Sequence, residues 1–172
     1  MKTAKGLVIV NTGNGKGKTT AALGMMLRAW GHDMKVVVLQ FVKHATVGEH
    51  RAAQRLGVEM VAGGAGFTFR GDNDEKNRQM ARELWQIARE KINSGNYDTV
   101  ILDEMTYAFE FGWLEIDEVL EVLRTRPEKV HVIITGRNAP QALIDFADTV
   151  MEIQDVKHHH RLGIKAQAGI EY

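Results

Sequence analysis

The chain has 172 residues, 44% of them hydrophobic and 26% charged, which is enough for one substantial core and too little for two; a single domain spanning 1–172 is expected. Lysine plus arginine equals aspartate plus glutamate at 22 each, so the general basic excess that neutralises nucleic-acid phosphates is missing and no nucleic-acid partner is expected. There is no cysteine, and no apolar run is long enough for a signal segment or a bilayer span, which excludes disulfides and thiolate metal sites and makes a cytoplasmic protein with no membrane partner the expectation.

The first apolar run, Leu7 to Val10, reads as a buried strand. "NTGNGKGKTT" follows it at once, and a helical spacing then runs from Thr19 to Trp30. Further strand patterns fall at Val36 to Phe41 and Val58 to Val61. The segment Ala62 to Asn73, "AGGAGFTFRGDN", is glycine-rich with two aromatics and reads as a functional loop. From Glu75 to Ile92 a helix pattern stacks Met80, Leu84, Ala88 and Ile92 beside Ala81 and Trp85. A strand at Thr99 to Leu102 precedes a helix with Ile116, Val119, Leu120 and Leu123 on one face, which stops before Pro127. Val130 to Ile134 and Thr149 to Ile153 read as the last strands. Between them a helix starts after Asn138 as N-cap, with Pro140 in its first turn and Leu143 and Phe146 facing inward. Buried strands alternating with helices predict an α/β fold: a mostly parallel six-stranded sheet with helices on both faces and ligands at the carboxyl ends of the strands.

A glycine-rich turn between strand and helix aims several backbone N–H groups at one point, and the helix N-terminus adds positive potential there. The stretch from Asn11 through Thr12, Gly13, Asn14, Gly15, Lys16, Gly17, Lys18 and Thr19 to Thr20 is therefore the candidate nucleotide-binding loop. Lys18, facing solvent until a ligand arrives, would reach the β- and γ-phosphates, and the Thr19 hydroxyl would ligate Mg2+. The pattern departs from G-x-x-x-x-G-K-[ST] only at Thr12, where glycine is usual. "TVILDE", Thr99 to Glu104, supplies the second half: a buried strand ending in carboxylates beside the loop. Glu104 is assigned to the metal with Asp103 supporting it from behind, and a ligand-free turn with a solvated strand end is the alternative. These residues alone say ATP or GTP with magnesium. Hydrolysis would need Glu104 to activate water at the γ-phosphate, and a kinase would need an acceptor base.

"TGNGKGKTTAALG", "VVVLQFVK", "GAGFTF", "VILDEMTYAF", "VIITGRNAP", "FADTV" and "VKHHHRLGIKAQAGIEY" together resemble the corrinoid adenosyltransferases of the CobA, BtuR or CobO type, from about Gly6 to Tyr172. The ending is the most specific part. The resemblance implies a RecA-like P-loop fold, a homodimer, and transfer of the 5′-deoxyadenosyl group of ATP to the cobalt of a reduced corrinoid, with a flavodoxin-like or other protein reductant. The broken bond is then C5′–O, and triphosphate leaves whole. Cobalt belongs to the substrate, and its reduced form is the nucleophile, so the chain needs neither general base nor covalent residue. Its tasks are to align C5′ with cobalt and to neutralise the departing triphosphate with Lys18, the loop amides, and magnesium on Thr19 and Glu104.

The resemblance also implies that Phe67 and Phe69 press on the lower face of the corrin and exclude its axial ligand; the alternative is that they plug the core. Lys43 and Glu49 correspond to polar contacts with the nucleotide, or else are surface charge. Arg137, at a carboxyl strand end, touches phosphate or packs structurally. Three adjacent histidines, His158 to His160, cannot all face one ion from a regular strand, so no protein-bound metal is expected there. Many relatives carry a helical segment before the first strand, whereas about five residues precede Gly6 here. The expectation is a more open corrinoid site, or one closed by another segment.

Overall fold

The computed structural model describes residues 5–42, 48–63 and 74–171. Six strands pair in it: β1 (Val8–Thr12), β2 (Val36–Gln40), β3 (Glu59–Ala62), β4 (Thr99–Asp103), β5 (His131–Thr135) and β6 (Thr149–Glu152). Every pairing is parallel and the sheet order is β3-β2-β4-β5-β1-β6. All six carboxyl ends therefore lie along one edge.

Alternation along each strand sends side chains to two cores. Val37 and Leu39 of β2 join Val8, Val10, Val100, Leu102, Val132 and Ile134 on one face. Val36 and Val38 join Ile101 and Ile133 on the other. The central strands are thus apolar on both sides, as a sheet covered twice requires. The edge strands β3 and β6 stay partly exposed.

On the second face lie α1 (Lys18–Trp30), which contributes Ala22 and Met26, and α2 (Gly48–Leu56), which buries Ala53. The first face is covered mainly by α3 (Asp74–Asn93) and α5 (Ile116–Thr125). In α3 the stripe Ala81, Leu84, Trp85, Ala88 and Ile92 is buried, with Asp74 and Glu75 in the first turn and Lys91 in the last, matching the helix dipole. Burying Trp85 and Leu84 stabilises by roughly 2–3 kcal/mol each. The Trp85 indole N–H donates to Glu118 Oε1 at 2.9 Å and so locks α3 to α5.

Two short helices complete the set among the described residues, α4 (Thr106–Glu110) and α6 (Gln141–Phe146). Pro140, not Asn138, caps α6, and no side chain bonds the cap; Asn138 instead adopts a left-handed φ of 50° two residues earlier. The proline ring fixes the entry angle, and Gln141 and Ala142 are exposed, so water can take the first N–H groups in place of a side-chain cap. After β6 the chain makes a 3-10 turn at His159–Leu162 and continues across the carboxyl edge of the sheet. No helix among the described residues is long and apolar enough to cross a membrane.

Candidate functional site

The loop after β1 is fastened to the chain leaving β6. Ile153 N–H donates to Thr12 O at 2.8 Å, and Gly15 N–H donates to Ile153 O at 2.7 Å. Gly13 has φ 97°, and a Cβ there would lie 2.5 Å from the Ile153 carbonyl oxygen. Gly17 has φ 115° as the cap of α1, with open space where its Cβ would be, so conformation alone selects glycine there. Beyond Gly15, whose N–H is taken by Ile153, the loop enters α1, and the first-turn N–H groups of a helix, which have no partner within it, suit an anion.

β4 is not the neighbour of β1. β5 lies between them, so the carboxylates stand two strand spacings, roughly 10 Å, from the loop strand. Thr135 at the end of β5 bridges this gap. Its hydroxyl donates to Asp103 Oδ1 at 2.7 Å and accepts from the Glu104 N–H at 2.9 Å, while the Gln40 amide donates to Asp103 Oδ2 at 2.9 Å. Asp103 is 1% exposed and is held by protein on both oxygens. Glu104 takes a left-handed φ of 57°, which ends the strand and carries its side chain to the cavity.

That cavity, about 610 Å³, is lined by the loop from Asn14 to Thr20, by Glu49 at the start of α2, by Glu104, Tyr107 and Arg137, and by Gly169 to Glu171. The volume suits a nucleotide-sized ligand. Asn11, Thr12, Gly13 and Asp103 do not line it. The Asn11 amide donates to Lys18 O at 3.2 Å, and Thr12 Oγ1 accepts from Ala139 N–H at 3.2 Å; both residues are buried and hold the loop's base. Lys43, Phe67 and Phe69 lie outside the described residues.

Lys18 does not face solvent. Its side chain folds back to donate to Gly15 O at 2.7 Å, and the residue is 6% exposed. Burial pushes its ammonium below the ordinary value; Glu104 and Asp103 oppose this, and Arg137 adds to it. A cation already stripped of water and held at the loop is poised for an oxyanion. Burial also pushes the Tyr107 phenol up, with Glu104 adding to the effect, so its hydroxyl remains a proton donor on the cavity wall.

The C-terminal wall is tied to the loop by charge. Lys16 Nζ lies 3.2 Å from Glu171 Oε1, and His159 Nε2 lies 3.0 Å from the same oxygen. Tyr107, Asp155, His158 and residues 169–171 enter the lining without having been singled out as nucleotide contacts from sequence. For the last group a pointer existed, since "VKHHHRLGIKAQAGIEY" has neither strand nor helix periodicity and so had to serve something other than the core.

A glycine turn at the head of α1, a buried lysine and a carboxylate strand end separated by one intervening strand define a RecA-like P-loop protein. The sequence profile of the ATP:corrinoid adenosyltransferases BtuR/CobO/CobP matches residues 4–172. A corrinoid adenosyltransferase of Escherichia coli is 44% identical over 169 residues, 98% of this chain and 86% of that protein. The corrinoid adenosyltransferase CobA of Salmonella typhimurium is 42% identical over the same length and shares. That of Pseudomonas aeruginosa is 40% identical over 171 residues, covering 98% and 84%. The chain belongs to the ATP:corrinoid adenosyltransferase family.

Proposed function

We propose that this protein transfers the 5′-deoxyadenosyl group of ATP to the cobalt of a reduced corrinoid, cob(I)alamin or a precursor, and releases inorganic triphosphate. The observation that carries the reading is the convergence of Lys18, Thr19, Glu104 and Arg137 on one cavity that the C-terminal segment also helps to wall, in a chain whose residues 4–172 match the family.

Cobalt(I) attacks C5′ with its electron pair, the cobalt–carbon bond forms, and the C5′–O electrons leave with the triphosphate. The chain's contribution is electrostatic and positional. Lys18 and the amides from Lys16 to Thr19 take up the negative charge that develops on the leaving oxygens, and Arg137 stands at the same cavity. Glu49, on the wall from α2, is read as a polar contact with the nucleotide. Lys43, Phe67 and Phe69 are assigned by sequence alone, Lys43 to the nucleotide and the two rings to the lower corrin face.

Magnesium fits this donor set, which offers a hydroxyl on Thr19 and a carboxylate on Glu104, both hard oxygens. When bound, the ion shares the neutralisation of the triphosphate. Asp103 is read as the residue that orients Glu104 through Thr135. A homodimer and a flavodoxin-like or other protein reductant complete the proposal. Exposed Val156, Leu162 and Ile170 are apolar surface that a second subunit or the reductant would cover, and light scattering reads the dimer.

The deciding experiment is incubation with ATP, magnesium and chemically reduced cobalamin, with the adenosylcobalamin spectrum and triphosphate both measured. Equal yields of the two are expected. ADP formation without a cobalt–carbon bond would instead place the chemistry at the γ-phosphate.

A further inference from the structure

The C-terminal segment carries ligand-type side chains to which the adenosyl-transfer reading assigns no chemical step. His158 and His159 stand at the start of the 3-10 turn, Glu171 returns to meet them, and one ligand atom from each lies within 4.8 Å of the other two. All three are half-buried. The two imidazoles are already gathered, with ring centroids 4.6 Å apart. A cation already occupies the point where they meet the carboxylate, because Lys16 Nζ approaches the same Glu171 oxygen that His159 reaches. The other oxygen accepts from the Gln167 N–H at 2.8 Å, which fixes the carboxylate's orientation.

We propose that His158, His159 and Glu171 form a binding site for a divalent transition-metal ion, with zinc as the first candidate, that fastens the C-terminal segment over the nucleotide loop. Two imidazoles and one carboxylate, with water in the fourth position, are a donor set for a borderline-soft ion. Magnesium prefers oxygen ligands and does not compete for it. The ion takes the place of the Lys16 ammonium at Glu171 and releases that side chain towards the cavity. One local bond is given up. His158 Nδ1 accepts from the His160 N–H at 3.2 Å, and coordination through either ring nitrogen ends that contact, which water replaces. The 3-10 turn is what allows two neighbouring histidines to converge, since on an extended strand they would point to opposite sides.

The test uses the intact chain without ATP or corrinoid, so its outcome is independent of the adenosyl-transfer reading. Zinc chloride is titrated by calorimetry, and Co2+ is added separately to read tetrahedral ligation in the visible spectrum. One ion per chain and a raised melting temperature are expected. His159→Ala and Glu171→Gln should each weaken binding on the order of tenfold or more. His160→Ala should leave it within about twofold, because its ring is not one of the three ligands and meets His158 only edge-on at 6.5 Å. Lys16→Met, which removes the competing ammonium, should tighten it. Circular dichroism should be unchanged in every variant, since none of these side chains belongs to either core cluster. Any other pattern overturns the proposal, including no uptake, or equal losses in His160→Ala and His159→Ala as a flexible histidine run would give.

Discussion

Thr135 and Asp103 are joined by a buried 2.7 Å hydrogen bond across β5 and β4, and the same hydroxyl receives the Glu104 N–H. The two adjacent acids are thereby given different work. Asp103→Asn should cost about 1–3 kcal/mol in chemical denaturation, because an amide cannot accept from both Gln40 and Thr135. Glu104→Gln should leave stability nearly unchanged and raise the magnesium concentration needed for half-maximal activity more than Asp103→Asn does. The reverse ranking would exchange the roles of the pair.

Lys18→Ala should reduce adenosyl transfer on the order of a hundredfold or more. The melting temperature should shift by only a few degrees, because the bond to Gly15 O and the burial of the ammonium are lost together and oppose each other. Turnover and thermal melts measured on one preparation separate the two effects.

Gly13→Ala and Gly17→Ala distinguish collision from conformation. Both residues have left-handed φ values, which cost an alanine about 1–2 kcal/mol. At Gly13 the new methyl also strikes the Ile153 carbonyl, so the loss should reach about 3 kcal/mol or more; urea midpoints compare them.

Asp148 accepts from the Val8 N–H at 2.8 Å, and this bond, with Lys5 and Arg126 nearby, holds its carboxyl below the usual range. A depressed folded value means stabilisation that is full above the unfolded value of 3.8 and is lost as pH falls through the folded one. Asp148→Asn should therefore cost about 1 kcal/mol at neutral pH. The difference from wild type should close as both are titrated below pH 3.8.

Phe67→Ala and Phe69→Ala should lose most activity when the assay starts from cob(II)alamin with a protein reductant, and much less from cob(I)alamin. Removal of the axial ligand by apolar rings makes cobalt(II) easier to reduce and is not needed once it is reduced. On the proposed reading each ring would bury about 150–250 Å² against the corrin, several kcal/mol before ordering costs. Equal losses in both assays, or a large fall in melting temperature, would place the rings in the core.

The sheet was legible in the sequence because its inner strands are apolar on both faces, so Val36 to Leu39 and Val100 to Leu102 stand out in a chain otherwise rich in charge. α3 was legible for a different reason, an apolar stripe on one face from Ala81 to Ile92 that repeats over about three turns. α2 was not, since it buries only Ala53 and shows no apolar stripe. α4 has five residues, too few for periodicity to register. The loop and the Asp103–Glu104 pair were legible as chemistry, but their geometry depends on strand order. Nothing in the local sequence tells that β5 enters between β1 and β4 and brings Thr135 to Asp103. The burial of Lys18 was misjudged for a related reason: Gly15 O, to which it turns, is available only once the loop has closed against Ile153.

The tie between Lys16 and Glu171 also sets an order of events during synthesis. A ribosome delivers the phosphate loop early and the residues that wall it late, after every strand of the sheet has been made. For most of translation the nascent loop lacks its partner from β6 and its cover from residues 169–171, so ATP meets a half-built cradle. Nucleotide capture is thereby deferred until residues 169–171 have emerged, and a ribosome stalled after β5 would hold a polypeptide with five of the six strands and no ligand to steady them.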